Sequence, residues 1–231
     1  MKTTDQLLKV IEFMKVGEQE VNKEFTFQST KVADFRIRLI NEEIAGKNEL
    51  LDSLKNDNLS GILDGICDVL YVAYGAVATY GAYLPEVEIP VREVDKSANI
   101  LAKHLALNEL SQITNGYEQF VRGTETGDAM AIQRGLGYIV SGAISLATVS
   151  EFDLIGAFDE VHKSNMSKFC LSEEAAEKAI SVRSIEKEDY IGAYVDKVQV
   201  GANLYYVIKR KNDGKVLKGL DFFEPDFTKF M

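Results

Sequence analysis

Hydrophobic residues recur along the chain at the spacing of amphipathic helices, starting close to the first residue. Leu7 and Ile11 lie on one face of a predicted helix over 4–15. A second stripe of isoleucine and leucine predicts one long helix over 32–55. Residues 59–83 are apolar on nearly every side, a pattern typical of a helix buried in the middle of a bundle.

Beyond residue 90 the spacing of hydrophobic positions remains helical. It predicts a helix over 92–116, an exit loop over 116–127 and a further helix over 128–147. Ser150 with Asp153 three residues later resembles a capping box, which predicts the start of another helix at this point.

The last part of the chain changes from helical to β-type spacing. A short helix is predicted over 173–183, and β-type runs follow at 194–200, 204–210 and 215–217. The Asn-Asp-Gly turn at 212–214 is expected to join the last two runs as a hairpin.

These elements predict a mainly α protein, in which a helical bundle over 1–170 carries a small C-terminal β-hairpin appendage over 171–231. The low number of turn-forming residues agrees with this class, because the chain has only 3 Pro among 231 residues. A many-stranded sandwich would need frequent turns, so helices are favoured over it.

The charge balance restricts the partners. A formal net charge of -10 argues against a nucleic acid, because proteins that bind polyanions usually present a basic surface. No signal peptide or membrane span is indicated, so we expect a cytoplasmic protein with no membrane partner. Cys67 and Cys170 show no metal-binding spacing and are interpreted as buried thiols in a reducing compartment.

The buried helix over 59–83 carries an unusual acidic stripe. Asp64 and Asp68 lie one turn apart on a helix that is otherwise apolar, and Tyr71 continues their face. A buried carboxylate without a partner costs several kcal/mol, so a cation or solvent must reach these two side chains. Tyr71 is a candidate for substrate contact or, equally, a packing residue with its hydroxyl in water.

The preceding helix adds three further carboxylates, Glu42, Glu43 and Glu49. If the two helices pack antiparallel across the short loop near residue 56, four or five carboxylates converge. All-oxygen ligands favour Mg²⁺, with Mn²⁺ as an alternative. Two other interpretations stay open: adjacent glutamates are commonly solvated, and the aspartates could pair with basic residues of the preceding helix, namely Arg36, Arg38 or Lys47.

Four segments resemble the all-α nucleoside triphosphate pyrophosphatases, which include the MazG proteins, the dimeric dUTPases and phosphoribosyl-ATP pyrophosphohydrolase. The resemblance is strongest to the phage and bacterial MazG-like members. It rests on RLINEE at 38–43, DGICDVLYV at 64–72, FDEVHKSNMSK at 158–168 and, more loosely, DGKVLK at 213–218.

The resemblance implies a hydrolase of nucleotide metabolism that converts a (deoxy)nucleoside triphosphate to the monophosphate and pyrophosphate with Mg²⁺. A metal-activated water would attack the α-phosphorus, with Glu43 as general base. The metal ligands would be Glu42, Glu43, Glu49, Asp64 and Asp68, while Asn165 and Lys168 would contact the triphosphate. A homo-oligomer, in particular a homodimer, is implied as well.

Two departures from the family pattern leave alternatives open. Gly46 stands where the family usually carries a further glutamate. The absence of this glutamate would remove one metal ligand, leave Glu49 to compensate for it, or mark a weakened, nucleotide-binding or regulatory protein. Residues 85–149 are long for a connector and are interpreted as inserted or extra helices. A structural adaptor with salt-bridged acids is the third interpretation.

Overall fold

The computed structural model describes residues 1–91 and 102–231, and the backbone alone for 102–107. The predicted mainly α bundle with a small C-terminal hairpin is confirmed. The helices are α1 (Thr3–Val16), α2 (Thr30–Ala45), α3 (Leu50–Lys55), α4 (Leu59–Tyr80), α5 (Ala102–Thr126), α6 (Ala129–Val149), α7 (Leu154–Met166) and α8 (Glu173–Arg183). The strands are β1 (Tyr194–Val200) and β2 (Asn203–Lys209), which pair antiparallel.

The chain divides into two compact units that do not follow its order. The first unit comprises 1–11, 21–160 and 226–231, and the second comprises 12–20 and 161–225. Helices α1 and α7 each contribute residues to both units. The domain assignment from the sequence, 1–170 and 171–231, stays a prediction.

Helix α4 forms the centre of the first unit. Its side chains from Ile62 to Tyr80 are almost all buried, and those of Leu70 and Tyr74 are completely buried. The helix is long and apolar enough to cross a membrane by composition, yet most of that apolar surface is covered by the protein itself. This is the environment expected of a core helix in a bundle.

The C-terminal end of α4 is covered by the extended segment 21–28. The backbone N–H groups of Asn22 and Thr26 donate to the carbonyls of Ala78 and Tyr80 at 2.9 and 2.8 Å. Gly81 ends the helix at φ 58°, and a Cβ there would lie 2.2 Å from the carbonyl oxygen of Glu24. Only glycine fits this left-handed position against a neighbouring backbone.

The single helix predicted over 32–55 is wrong, because the chain breaks between α2 and α3. Gly46 is extended, at φ -64° and ψ 165°, and its N–H donates to the carbonyl of Glu42. Asn48 adopts φ 67°, and Glu49 then caps α3 in an extended conformation. Glycine and asparagine are turn formers, and their local preference outweighed the helical spacing of the hydrophobic residues.

The exit loop predicted over 116–127 is also wrong, since α5 continues to Thr126. The glycines suggested a loop, but they allow two helices to approach closely. A Cβ on Gly116 would lie 2.8 Å from the carbonyl oxygen of Gly135 on α6, and one on Gly123 would lie 2.6 Å from the nitrogen of Ile132. The predicted start of this helix, 92–101, falls outside the described residues.

Helix α7 begins later than the predicted capping box. The backbone N–H of Ser150 donates to the carbonyl of Leu146 and ends α6, so Ser150 does not cap the next helix. Asp153 takes that role, since its Oδ1 accepts from the N–H of Gly156 at 3.1 Å. Aspartate is as effective at this position as serine.

The second unit is built around β1, β2 and α8. The predicted third strand is reduced to a bridge between Lys209 and Val216, closed by a turn with Gly214 at φ 71°. Lys209 is buried, and its ammonium group pairs with Asp196 and Glu18. Cys170 and, in the first unit, Cys67 are free and buried, as predicted.

Candidate metal centre

Three carboxylates of the first unit converge on one point. Glu43 comes from the last turn of α2, Glu49 from the N-cap of α3, and Asp68 from the middle of α4. One ligand atom of each lies within 4.8 Å of the other two, and all three residues are half-buried. The sequence predicted these three residues among its five metal ligands.

The break between α2 and α3 brings Glu49 into this group. A Cβ on Gly46 would lie 2.9 Å from Cγ of Glu49 and 2.4 Å from the carbonyl oxygen of Glu42. The side chain of Glu49 therefore passes through the space that a side chain at position 46 would need. Sequence reasoning noted Gly46 as a missing ligand but did not find this packing, although Asn48 two residues later signals a turn.

The local electrostatics favour a cation. Burial raises the pKa of the Glu49 carboxyl, and no lysine or arginine in the described chain pairs with it. Burial, together with the charges of Asp68 and Asp64, also raises the pKa of the Cys67 thiol well above its usual value. Asp64 and Asp68 both act on this thiol, which is consistent with negative charge concentrated in this part of α4.

The donor set fits a hard divalent ion. Oxygen atoms around one Mg²⁺ at about 2.1 Å lie about 3–4 Å apart, so small rotations of the three side chains would close the observed separation. Half-buried carboxylates that carry a desolvation cost are stabilised by such an ion. Among the described residues no sulfur or imidazole ligand belongs to the group, which favours a hard cation over zinc.

Two of the five predicted ligands lie outside the converging group. Glu42 is exposed, and its Oε1 lies 3.7 Å from Nε of Arg38 one turn earlier on α2. Asp64 is half-buried one turn before Asp68, and it is not without an interaction of its own. Their roles as metal ligands stay predictions.

The predicted substrate-binding residues are distributed over both units. Tyr71 is buried in the first unit, with its ring centroid 5.7 Å from that of Phe158. Asn165 and Lys168 belong to the second unit, where Nζ of Lys168 donates to Oδ1 of Asn165. Contact of these three residues with a substrate stays a prediction.

Comparison with known proteins agrees with this geometry. Residues 10–97 match the family described as phosphoribosyl-ATP pyrophosphohydrolase, and this segment contains all three converging carboxylates. The chain is also 28% identical over 222 residues to "Uncharacterized protein L479" of Acanthamoeba polyphaga mimivirus. That match covers 87% of this chain and 84% of the viral protein, so it extends well beyond residue 97. No solved structure gave a significant match.

The matched family is described by its activity and by a typical cofactor. Its description names a pyrophosphohydrolase that acts on a nucleotide, and the family is typically metal-dependent. The acidic group of Glu43, Glu49 and Asp68 is a set of residues that could hold such a metal. Over residues 10–97 the chain is therefore similar to the phosphoribosyl-ATP pyrophosphohydrolase family, which belongs to the MazG-like all-α nucleoside triphosphate pyrophosphatases.

Proposed function

We propose that this protein is a Mg²⁺-dependent nucleoside triphosphate pyrophosphohydrolase, with Mn²⁺ as a possible substitute. The observation that carries the proposal is the convergence of Glu43, Glu49 and Asp68 within the segment that matches the family. The products would be a (deoxy)nucleoside monophosphate and pyrophosphate.

The three carboxylates would hold the cation, which when bound supplies positive charge to the phosphates and acidifies a water molecule. Their half-burial matters for this role, because charge interactions are stronger where less water screens them. Asp64, one turn from Asp68, would add a further oxygen ligand or orient the first ones.

The proposed reaction is a hydrolysis at the α-phosphorus. A water oxygen forms the new bond to this phosphorus, and the bond from phosphorus to the α,β-bridging oxygen breaks. Pyrophosphate leaves with the bonding electrons, and the proton of the water passes to a carboxylate, for which Glu43 is our candidate. Lys168 and Asn165 are proposed to bind the phosphate charge.

Gly46 supports an active enzyme over the weakened alternative. In the alternative, Gly46 marks the loss of a ligand and the protein only binds nucleotides. The close approach of Glu49 to this position argues for replacement, because the space left by Gly46 is filled by another carboxylate of the same group.

The test is a panel of NTPs, dNTPs and dUTP with Mg²⁺, read by quantifying monophosphate and pyrophosphate. We expect release of pyrophosphate from at least one substrate, at a rate that Glu43→Gln lowers by about 10²–10⁴-fold. Asp34→Asn is the matched control, because it removes an exposed carboxylate from the same helix. In ¹⁸O-water, attack at the α-phosphorus places the label in the monophosphate, whereas label in pyrophosphate would contradict the proposed bond cleavage.

Metal binding is measured separately by titrating Mn²⁺ and following the free ion by electron paramagnetic resonance. Glu49→Gln and Asp68→Asn should weaken binding more than Glu42→Gln, whose parent side chain is exposed beside Arg38. Nucleotide binding without any product release would support the regulatory alternative. Absence of Mn²⁺ binding would refute the metal centre and favour the adaptor.

A further inference from the structure

A second site of interest in the first unit is a cavity of about 580 Å³ beside α6. Its walls are α6, the segment 83–87 that follows α4, and Thr3 at the start of α1. Its volume falls in the range of sites that bind small molecules. Its described lining shares no residue with the acidic group of Glu43, Glu49 and Asp68.

The lining of the cavity is apolar and carries no carboxylate. Leu84, Val87, Val140 and Ile144 contribute aliphatic surface, and two tyrosines lie at exposed positions. Asp and Glu are absent from the described lining, although the chain contains 36 of them. The interior is thus suited to an apolar body without negative repulsion.

Arg134 is the charged residue of the described lining. Its guanidinium group forms no ion pair with a carboxylate in the part of the chain that the structure describes. It therefore offers planar hydrogen-bond donors to an anionic group at the edge of an apolar surface.

Gly137 supplies an independent argument for a ligand. The other two glycines of α6, Gly135 and Gly142, are required by packing, since a Cβ on either would lie within 3.0 Å of α5. A Cβ on Gly137 would have no atom within 4 Å, and this residue lines the cavity. Glycine weakens a helix interior relative to alanine, so its presence here is explained by the space it leaves open in the cavity.

Hydrogen bonds fix the wall opposite α6. Thr3 donates its N–H to the carbonyl of Val87 at 3.0 Å and accepts from the N–H of Val87 at its Oγ1, also at 3.0 Å. The N–H of Tyr83 donates to Oε1 of Gln133 on α6 at 3.1 Å. The cavity is therefore preformed, which lowers the cost of binding.

We propose that this cavity binds a small amphipathic anion with a flat, apolar body and one anionic group. The body would lie over Gly137 between the tyrosine-bearing walls, and the anionic group would pair with Arg134. One arginine, with no further cation in the described lining, suits a single anionic group better than a triphosphate. The proposal concerns a separate site and does not depend on the hydrolytic activity.

Two matched fluorescent probes test it on the full chain. 1-Anilinonaphthalene-8-sulfonate has the proposed body and one sulfonate, and N-phenyl-1-naphthylamine has the same body without charge. We expect both to bind with one site per chain. Gly137→Leu should weaken both by about tenfold or more, since the added side chain fills the cavity floor.

Arg134→Gln separates the charge from the apolar surface. It should weaken the sulfonate probe by about three- to tenfold, because the pairing site is partly exposed, and should leave the uncharged probe unchanged. Ser181→Leu and Arg122→Gln are the controls, as they place a leucine or remove an arginine on exposed helix positions outside the cavity. Far-ultraviolet circular dichroism and thermal melts confirm that each variant is folded.

Three results would overturn the proposal. The first is probe binding that Gly137→Leu does not weaken, and the second is an equal loss of both probes in Arg134→Gln. The third comes from sedimentation equilibrium: if Gly137→Leu dissociates an oligomer of the wild type, the cavity is an interface between copies of the chain. We expect the two controls to leave both probe affinities unchanged, and a loss in the controls equal to that in the cavity variants would likewise argue against binding at this cavity.

Discussion

Gly135 and Gly137 lie two residues apart on α6 and have opposite surroundings. A Cβ on Gly135 would lie 2.5 Å from the nitrogen of Phe120 and 2.6 Å from the carbonyl oxygen of Gly116, both in the backbone of α5. A Cβ on Gly137 would have no atom within 4 Å. The same substitution by alanine should therefore change stability in opposite directions.

The magnitudes follow from two opposing effects. Alanine in place of glycine stabilises a helix interior by about 1 kcal/mol, which is all that Gly137→Ala should experience. In Gly135→Ala the gain is outweighed by overpacking of about 3 kcal/mol, because the contacted atoms are backbone and cannot rotate away. The net expectation is a stabilisation of about 1 kcal/mol for one variant and a destabilisation of about 2 kcal/mol for the other.

Thermal unfolding followed by circular dichroism checks this pair. At about 2–4 °C per kcal/mol for a unit of this size, Gly137→Ala should melt about 2–4 °C above the wild type and Gly135→Ala about 4–8 °C below it. Urea titration gives the same comparison at one temperature. Shifts of the same sign and size in both variants would refute the close approach of α5 and α6 at Gly135.

Three further predictions concern buried polar groups. Because burial raises the pKa of Glu49, the ionised form of this carboxyl is disfavoured in the folded state. The contribution of Glu49 to the free energy of unfolding is therefore fully present below its unfolded pKa and is lost as pH rises through its folded pKa. At pH 7, Glu49→Gln should therefore raise the melting temperature of the metal-free protein. The wild type should gain about 2.7 kcal/mol of stability when Mn²⁺ is present at 100 times its Kd, and this gain should disappear in the variant. A lower melting temperature of the metal-free variant would contradict this reasoning. The pKa of Lys209 lies above its usual value, because burial, which lowers it, is outweighed by Asp196 and Glu18, so its stabilisation is complete below about pH 10.4 and is lost as pH rises through the higher folded pKa. Lys209→Met should lower the free energy of unfolding by about 1–2 kcal/mol at pH 8. Between pH 9 and 12 the melting temperature of the wild type should fall steeply and that of the variant should not. Parallel curves of melting temperature against pH would argue against the pairing. Tyr74 donates to Oε1 of the fully buried Gln6 at 2.9 Å, so Tyr74→Phe should cost about 1–3 kcal/mol in urea unfolding, and adding Gln6→Leu should recover much of that loss.

The spacing of hydrophobic residues was sufficient to predict the bundle and the central helix where it is helical, and the β-hairpin where it changes to β-type. These features depend on the periodic burial of side chains, which a single sequence displays directly. The acidic stripe of α4 was visible for the same reason, since Asp64 and Asp68 interrupt an apolar helix that has to be buried.

The errors arose where glycine had two possible explanations. The segment that begins at Gly116 is predicted as a loop, although Gly116 and Gly123 let α5 approach α6 closely. Gly46 was interpreted as a missing ligand, although the chain breaks there and delivers Glu49 to the same group. A glycine in the sequence does not reveal whether torsion angles or a neighbouring atom requires it, because only the folded chain supplies that neighbour.

The division of α1 and α7 between both units has a practical consequence for dissecting the protein. Residues 12–20 belong with 161–225, and the last residues, 226–231, return to the first unit. There the carbonyl of Phe230 accepts the N–H of Asp153 at 2.9 Å. A stop codon after 170 would thus remove Lys209 from its partner Glu18 and Phe230 from Asp153 at the same time. Both segments of the second unit interrupt the sequence of the first, so no single truncation of the gene yields either unit intact.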